Sequence, residues 1–131
     1  MSWLFHKSIT HNDLRPATPA DVPFIQEVEA YAARRYLVRC VRDAALWRYE
    51  VEGRTSGGAE TMQVCVIASA AGEPVGYLVH PEVLWGDALS LWVYELRPGA
   101  SWWKVTPCVM RYLKAKRDKM GHLLGLTCDD L

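Results

Sequence analysis

The spacing of apolar residues changes twice along this chain, from helical to strand-like and back, and this change limits the fold more than any other feature. Apolar side chains recur at helical spacing between residues 18 and 53, in short β-branched runs between 62 and 96, and again at helical spacing from about 103 or 106 to 120. An all-helical fold and an all-β fold are both excluded. The pattern predicts an α+β domain in which helices flank a hairpin-rich sheet.

Two helices are predicted before residue 54. Thr18 is a suitable N-cap with Pro19 at the first helical position, and Asp21 follows three residues after the cap. Helical spacing of apolar residues then continues from 22 to about 32. The second helix is expected to begin at Asp43, another N-cap residue, and to end at Gly53, before a glycine-containing loop over 54–60.

Short apolar segments separated by turn residues predict the strands. A strand over 62–69, a turn over 71–74 and a strand over 75–80 form a hairpin, and a third strand runs over 89–96. Further strands are expected around Leu14 and over 122–127, where Gly121 ends the long helix. The crossover helix before the last strand predicts one parallel pair, so we expect a mixed, mainly antiparallel sheet with helices on both faces.

Composition limits the class of partner. A chain of 131 residues, 50% of them hydrophobic, suits a single domain over 1–131, and 15 basic residues balance 15 acidic ones. We therefore expect neither a nucleic-acid partner nor a membrane partner. The first ten residues lack the features of a signal peptide and no segment has the length of a membrane span, so a cytoplasmic location is expected.

The four cysteines argue against a metal site. Cys40, Cys65, Cys108 and Cys128 are far apart, and no paired cysteines or suitably spaced histidines accompany them. Apolar neighbours favour the interpretation that they are small buried hydrophobic residues in a reducing compartment.

Several segments, taken with the order of elements, resemble the GNAT superfamily of acyl-CoA-dependent N-acetyltransferases. Residues 14–22, LRPATPADV, resemble the family's first strand and the start of its first helix. The hairpin over 64–77, residues 91–94 and residues 105–121 resemble its second to fourth strands and the helix that follows them. The resemblance implies a GNAT-like α+β fold truncated after the fifth strand, because the family continues with one more helix and two more strands. The chain is therefore expected to be a shortened member or the N-terminal portion of a longer one.

The resemblance also implies a cofactor, acetyl-CoA or CoA, and no metal. In the family, backbone amides between the fourth strand and the next helix hold the pyrophosphate. The corresponding residues here are Gly99, Ala100, Ser101, Trp102, Trp103, Lys104 and Val105. This stretch departs from the family motif Q/R-x-x-G-x-G/A, because two tryptophans stand where small residues are usual and Pro98 has no amide to donate.

Acyl transfer from a thioester to an amine needs a base and a proton donor. The resemblance implies a carboxylate near the end of the fourth strand, so Glu95 is the candidate base and Tyr94 a candidate proton donor. His80, Glu82 and Tyr112 are further candidates. The alternatives are structural: a solvated acid at a strand end for Glu95, a surface turn for His80, and packing for both tyrosines.

Three functions follow from these observations. The first is an acyl-CoA-dependent N-acyltransferase acting on a small molecule or another amine. The second is a GNAT-like binding or assembly module without catalysis, and the third is a different small α+β domain with a ligand pocket. A homodimer is expected, because the last strand would form a bare sheet edge beside several aromatic residues. These aromatic residues are Trp85, Trp92, Trp102 and Trp103.

Overall fold

Four strands form one open antiparallel sheet in the computed structural model, which describes residues 13–53 and 61–123. Within these ranges the sheet order equals the chain order, and every neighbouring pair is antiparallel. The strands are β1 (Asp13–Pro16), β2 (Met62–Ala68), β3 (Pro74–Pro81) and β4 (Val93–Leu96). The α+β class predicted from the apolar spacing is therefore confirmed.

Helices cover both faces of the sheet. Helix α1 (Val22–Ala32) and the short helix α2 (Ala44–Arg48) pack on one face, and the long helix α3 (Trp102–Leu123) packs on the other. A 3-10 turn over Pro19–Asp21 precedes α1, another over Ala33–Arg35 follows it, and a π-helical turn over Tyr49–Gly53 follows α2. No helix in the described ranges is both long and apolar enough to cross a membrane.

The alternation of side chains along β2 and β3 divides the core into two clusters. Val64 and Tyr77 contact the α1 side, where the Tyr77 ring meets the Trp47 ring edge-on at 5.6 Å. Cys65 and Leu78, each one residue further along, contact the α3 side. Because successive side chains of a strand point to opposite faces, β2 and β3 contribute residues to both clusters.

The predicted helix starts are confirmed. The Thr18 amide donates to a carboxylate oxygen of Asp21 at 2.8 Å, and Arg15 forms two hydrogen bonds with the same carboxylate at 2.7 and 2.8 Å. At the second helix the Leu46 amide donates to Asp43 at 2.8 Å. Both contacts satisfy amides that have no partner within their helix.

The prediction for the third apolar segment is wrong in its extent. The strand begins at Val93 rather than at Leu89, and an isolated bridge joins Trp85 to Ala88 before it. The Trp92 amide still donates to the Val79 carbonyl at 2.9 Å. The next position of β3 that faces this strand is Pro81, which has no amide, so the pairing cannot extend further.

The long helix also differs from the prediction at its ends. It begins at Trp102, contains Pro107, and continues through Gly121 to Leu123. Residues 122–123 of the predicted last strand are therefore helical, and residues 124–127 lie outside the described residues. The predicted parallel pair needs that strand, and the described part of the sheet contains antiparallel pairs only. Glycine inside a helix costs only about 1 kcal/mol, so it does not oblige the helix to end.

The cysteine prediction is partly wrong. Cys65 is buried in the cluster against α3 and Cys108 is half-buried, but Cys40 is exposed on the loop between α1 and α2. Cys128 lies outside the described residues. The apolar neighbours of Cys40 are themselves exposed, since Val41 has 80% relative exposure.

Candidate functional site

Strand β4 and the turn after it lie between two cavities. The first, which we call the arginine pocket, measures about 300 Å³ and is lined by Arg34, Arg35 and Arg97 together with Gly99, Ala100, Trp102, Tyr31 and Leu96. The second, which we call the Glu95 pocket, measures about 320 Å³ and is lined by side chains of α1, the α1–α2 loop and β4. Residues at the C-terminal end of α1 and in the turn after it line both pockets.

A tight turn joins β4 to α3 at the arginine pocket. The Ala100 amide donates to the Arg97 carbonyl at 3.2 Å, with Pro98 and Gly99 at the two central positions. Gly99 has φ of +83°, so Pro-Gly here has the residues and geometry of a type II turn. Pro98 therefore shapes the turn.

The arginine pocket suits an anion. Amides in the first turn of a helix have no partner within it, and α3 has 22 residues, so its N-terminal end has a partial positive charge. Three guanidinium groups stand at the same end. Arg97 reaches Glu73 at 3.8 Å, but both side chains are exposed, and such a contact contributes little stability.

The structure separates the residues predicted to bind the cofactor. Gly99, Ala100 and Trp102 line the arginine pocket, whereas Val105 is buried in the core against the sheet. The Ser101 carbonyl accepts from the Lys104 and Val105 amides, as expected at a helix start. Lys104 is exposed. Trp103 is 91% exposed and lines an apolar groove on the outer side of α3, with Trp102, Thr106, Pro107 and Met110.

Glu95 is buried, so the alternative of a solvated acid at a strand end is wrong. Its residue exposure is 4%, and it faces the α1 side of the sheet opposite Tyr77. One carboxylate oxygen pairs with the guanidinium of Arg35, and the other accepts from the hydroxyl of Tyr36. The hydrogen bond to Glu95 raises the pKa of Tyr36, because it stabilises the protonated phenol.

The Glu95 pocket combines carboxylates, cations and aromatic rings. Glu29 accepts from the indole Nε1 of Trp47 at 2.9 Å and lies 3.6 Å from Arg42. Arg39 and Trp92 line the open side, and Trp92 has 45% exposure. Carboxylates and aromatic faces are the groups that bind ammonium ions, while the arginines are suited to a carboxylate or a polar oxygen.

Tyr94 lines the Glu95 pocket beside Glu95, but its hydroxyl is directed to the opposite face of the sheet. Its hydroxyl lies 3.0 Å from the Thr106 hydroxyl, and its ring meets the Trp102 ring at 4.9 Å, so it points towards α3. Burial raises the pKa of Tyr94. As neighbours in a strand, Tyr94 and Glu95 face opposite sides of the sheet.

The other candidates form a separate buried cluster. The hydroxyl of Tyr112 lies 2.9 Å from Nε2 of His80 and 3.1 Å from Sγ of Cys65, between the sheet and α3. His80 has 1% exposure, so the surface-turn alternative is wrong for it. Glu82 is half-buried, just beyond the end of β3. Burial lowers the pKa of His80 and raises that of Cys65, which keeps both groups neutral.

Sequence reasoning missed the residues that surround Glu95. Arg34, Arg35 and Tyr36 are not among the candidate site residues predicted from the sequence. The available signal was the run of two arginines and a tyrosine at the end of an amphipathic helix, followed by apolar residues that cannot all be buried. Within residues 13–53 and 61–123, no group of three or more His, Cys, Asp or Glu side chains is arranged to hold a metal ion.

Comparison with known proteins does not assign a family. No model of a known protein family matches this chain, and no curated protein matches it either. The geometry of the two pockets is therefore the basis on which a function is assigned.

Proposed function

We propose that this chain is a GNAT-like domain that binds an acyl-CoA, with the phosphates in the arginine pocket, and transfers the acyl group to an amine in the Glu95 pocket. The observation that carries this proposal is the arginine pocket itself. Arg34, Arg35 and Arg97 converge at the N-terminal end of α3, next to the turn after β4. The resemblance places the acyl-CoA pyrophosphate at the corresponding junction.

The order of elements supports the proposal. A strand, two helices, three antiparallel strands and a long helix follow one another, and the helices lie on opposite faces of the sheet. The resemblance implies this order for the first part of a GNAT domain. Topology alone does not establish an activity, so the proposal rests on the pocket chemistry.

Glu95 is the residue best placed to serve the reaction. In acyl transfer the amine nitrogen attacks the thioester carbon, the C–S bond breaks, the amine loses a proton to a base, and the thiolate leaves and takes up a proton. Glu95 lines the pocket that shares the C-terminal end of α1 with the arginine pocket, and its carboxylate would accept the proton of the amine. Tyr36, whose hydroxyl touches Glu95, replaces Tyr94 as the phenol nearest to that site.

Titration calorimetry with CoA and acetyl-CoA tests the proposal. The wild type should bind, and ligand at 100 times its dissociation constant should stabilise the protein by about 2.7 kcal/mol in a thermal-shift assay. Arg97→Gln and Arg34→Gln should weaken binding, since each removes a cation from the arginine pocket. Arg48→Gln is the matched control, because Arg48 is an exposed arginine on α2. Absence of binding by the wild type would refute the proposal.

Gly99 is a poor site for this test. Its positive φ means that a β-branched residue would strain the turn as well as approach the ligand. The arginine variants change charge without changing the backbone, so a loss of binding can be attributed to the pocket.

A second candidate, a non-catalytic module that pairs with a second copy, is favoured by the apolar groove on α3. This groove measures about 390 Å³ and includes Trp103, at 91% exposure, and Met110, at 59%. Trp85 is also 70% exposed. Aromatic residues and methionine are enriched in association surfaces. Light scattering should give about twice 14.8 kDa for the wild type and a lower mass for Trp103→Ser. A wild-type mass near 14.8 kDa would exclude this candidate.

A further inference from the structure

Arg35 lines the arginine pocket and is linked to the Glu95 pocket through its ion pair with Glu95. Its side chain lines the arginine pocket, and its guanidinium lies 5.5 Å from the centre of the Trp102 ring at the start of α3. The same guanidinium pairs with Glu95, which lines the other pocket. One cationic group therefore forms the boundary between a site suited to anions and a buried carboxylate.

The two partners of this pair differ in freedom to move. The side chain of Arg35 is 48% exposed, whereas that of Glu95 is 5% exposed. Arg35 also follows α1 on a 3-10 turn and carries a long side chain with several rotatable bonds, while Glu95 is fixed within β4. When the pair separates, Arg35 is the partner that moves.

We propose that Arg35 couples the two pockets: a phosphate group in the arginine pocket competes with Glu95 for Arg35, and the released Glu95 carboxylate then becomes available to an amine in the Glu95 pocket. This inference rests on the proposed function. The two phosphates of a pyrophosphate together carry two negative charges where a carboxylate carries one, and they accept the same paired hydrogen bonds from a guanidinium. Tyr36 continues to donate to the other oxygen of Glu95, so the carboxylate keeps its position while it gains an open coordination site.

The coupling gives the reaction an order. Before the acyl-CoA binds, the guanidinium of Arg35 pairs with the Glu95 carboxylate. The charge of that carboxylate is then already balanced when an acceptor amine enters the Glu95 pocket. After it binds, the same carboxylate has lost its counter-ion and favours an ammonium or a proton-donating amine. Because Glu95 and the phosphate group compete for Arg35, Glu95 weakens anion binding, and an amine that pairs with Glu95 strengthens it by the reciprocity of coupling.

The test compares the dissociation constant of CoA, measured by calorimetry, between the wild type and variants of Glu95. Glu95→Gln removes the charge that competes for Arg35 and keeps the shape, so CoA should bind at least about fivefold more tightly, the lower end of ordinary coupling. A structural defect would weaken binding instead. Glu95→Met, which suits a buried site, provides a second neutral variant, and the melting temperature of each variant reports whether it folds.

Two further variants identify Arg35 as the coupling group. Arg35→Gln should weaken CoA binding, and in that background Glu95→Gln should have no further effect. Glu27→Gln removes an exposed carboxylate of α1 that lines neither the arginine pocket nor the Glu95 pocket, so it should leave CoA binding within about twofold of wild type.

Each outcome decides the matter. If the wild type binds CoA and neither neutral Glu95 variant tightens binding, the coupling is refuted and the proposed function stands. If Glu95→Gln tightens binding equally without Arg35, or if Glu27→Gln has the same effect, the cause is general electrostatics and the role of Arg35 is refuted. If the wild type binds no CoA, the proposed function fails and the inference fails with it.

Discussion

Nε2 of His80 lies 2.9 Å from the hydroxyl oxygen of Tyr112, and this contact joins β3 to the long helix α3. The other ring nitrogen, Nδ1, lies 2.8 Å from the Pro81 carbonyl oxygen, which can only accept. A neutral His80 therefore holds its proton on Nδ1, and the Tyr112 hydroxyl donates to Nε2. The thiol of Cys65, 3.1 Å away, then donates to the Tyr112 oxygen.

This arrangement predicts a loss of stability below neutral pH. Burial, the largest cause, lowers the pKa of His80 below its ordinary value of 6.5. As the pH drops, His80 therefore takes up a proton in the unfolded state before it does so in the folded state. The stability that neutral His80 contributes is fully present above pH 6.5, and it falls as the pH drops from 6.5 towards the lower pKa of the folded state. Denaturant titrations at about pH 8 and about pH 5 should show a smaller difference for His80→Gln than for wild type. Equal differences would contradict the prediction.

Tyr112→Phe should destabilise the protein by about 1–3 kcal/mol, because it leaves buried His80 and Cys65 without their shared partner. Tyr94→Phe is the matched control. It removes one hydrogen bond, to Thr106, and should cost only about 0.5–1.5 kcal/mol. The free energy of unfolding of both variants, measured in urea, checks the comparison. A smaller loss of stability for Tyr112→Phe than for Tyr94→Phe would contradict the two hydrogen bonds by which Tyr112 links His80 to Cys65.

Asp21→Asn should weaken the start of α1. The hydrogen bonds from Arg15, the largest cause, lower the pKa of Asp21 below its ordinary 3.8. The stability that the ionised Asp21 contributes is fully present above pH 3.8, and it is lost as the pH falls through the lower pKa of the folded state. The variant should lose about 1 kcal/mol at neutral pH, a modest value because Arg15 is half-exposed. The difference between variant and wild type should shrink towards about pH 2, and a constant difference would argue against the ion pair.

Gly76→Ala should be severely destabilising, by about 3 kcal/mol. Gly76 pairs with Leu96 between β3 and β4, and an added Cβ would overlap the backbone carbonyl oxygen of Glu95. Gly72→Ala, in the hairpin turn, meets no neighbouring atom and should cost only about 1 kcal/mol from its positive φ. Thermal denaturation of both variants tests this order, and a reversed order would contradict the close approach of β3 and β4.

Cysteine alkylation should distinguish the exposed thiol of Cys40 from the buried thiol of Cys65. Cys40 is exposed on the α1–α2 loop and should react rapidly with iodoacetamide in the native protein. Cys65 should react only on unfolding, because it is buried and its burial raises the pKa of the thiol. Peptide mass spectrometry after timed alkylation gives both rates. Rapid labelling of Cys65 would show that α3 leaves the sheet in the native state.

The starts of α1 and α2 and the β2–β3 hairpin were predictable because the groups that form them are neighbours in the chain. The Thr18 amide meets Asp21 three residues later, and Asp43 meets the Leu46 amide over the same interval. Local hydrogen bonding of this kind depends on residue type and spacing alone. The Pro-Gly turn after β4 belongs to the same class, although its role in shaping the arginine pocket became visible only in the structure.

The extent of β4 and the end of α3 depended on distant residues. Leu89 and Leu91 alternate as a strand would, but Pro81 on the facing strand cannot pair with them. Gly121 resembles a helix end, yet α3 continues through it. The start of β4 was decided by the residue that faces it on β3. The end of α3 was not fixed by a single glycine, so in both cases the local pattern was insufficient.

The sequence by itself determined the α+β class and the order of elements from β1 to α3, because apolar periodicity and turn chemistry act over a few residues. Only the tertiary structure decided that Glu95 is buried and paired, because Arg35 and Tyr36 approach it from 60 and 59 residues away in the chain. A carboxylate's state depends on the charges and hydrogen-bond donors around it, and these are set by how α1 packs on the sheet.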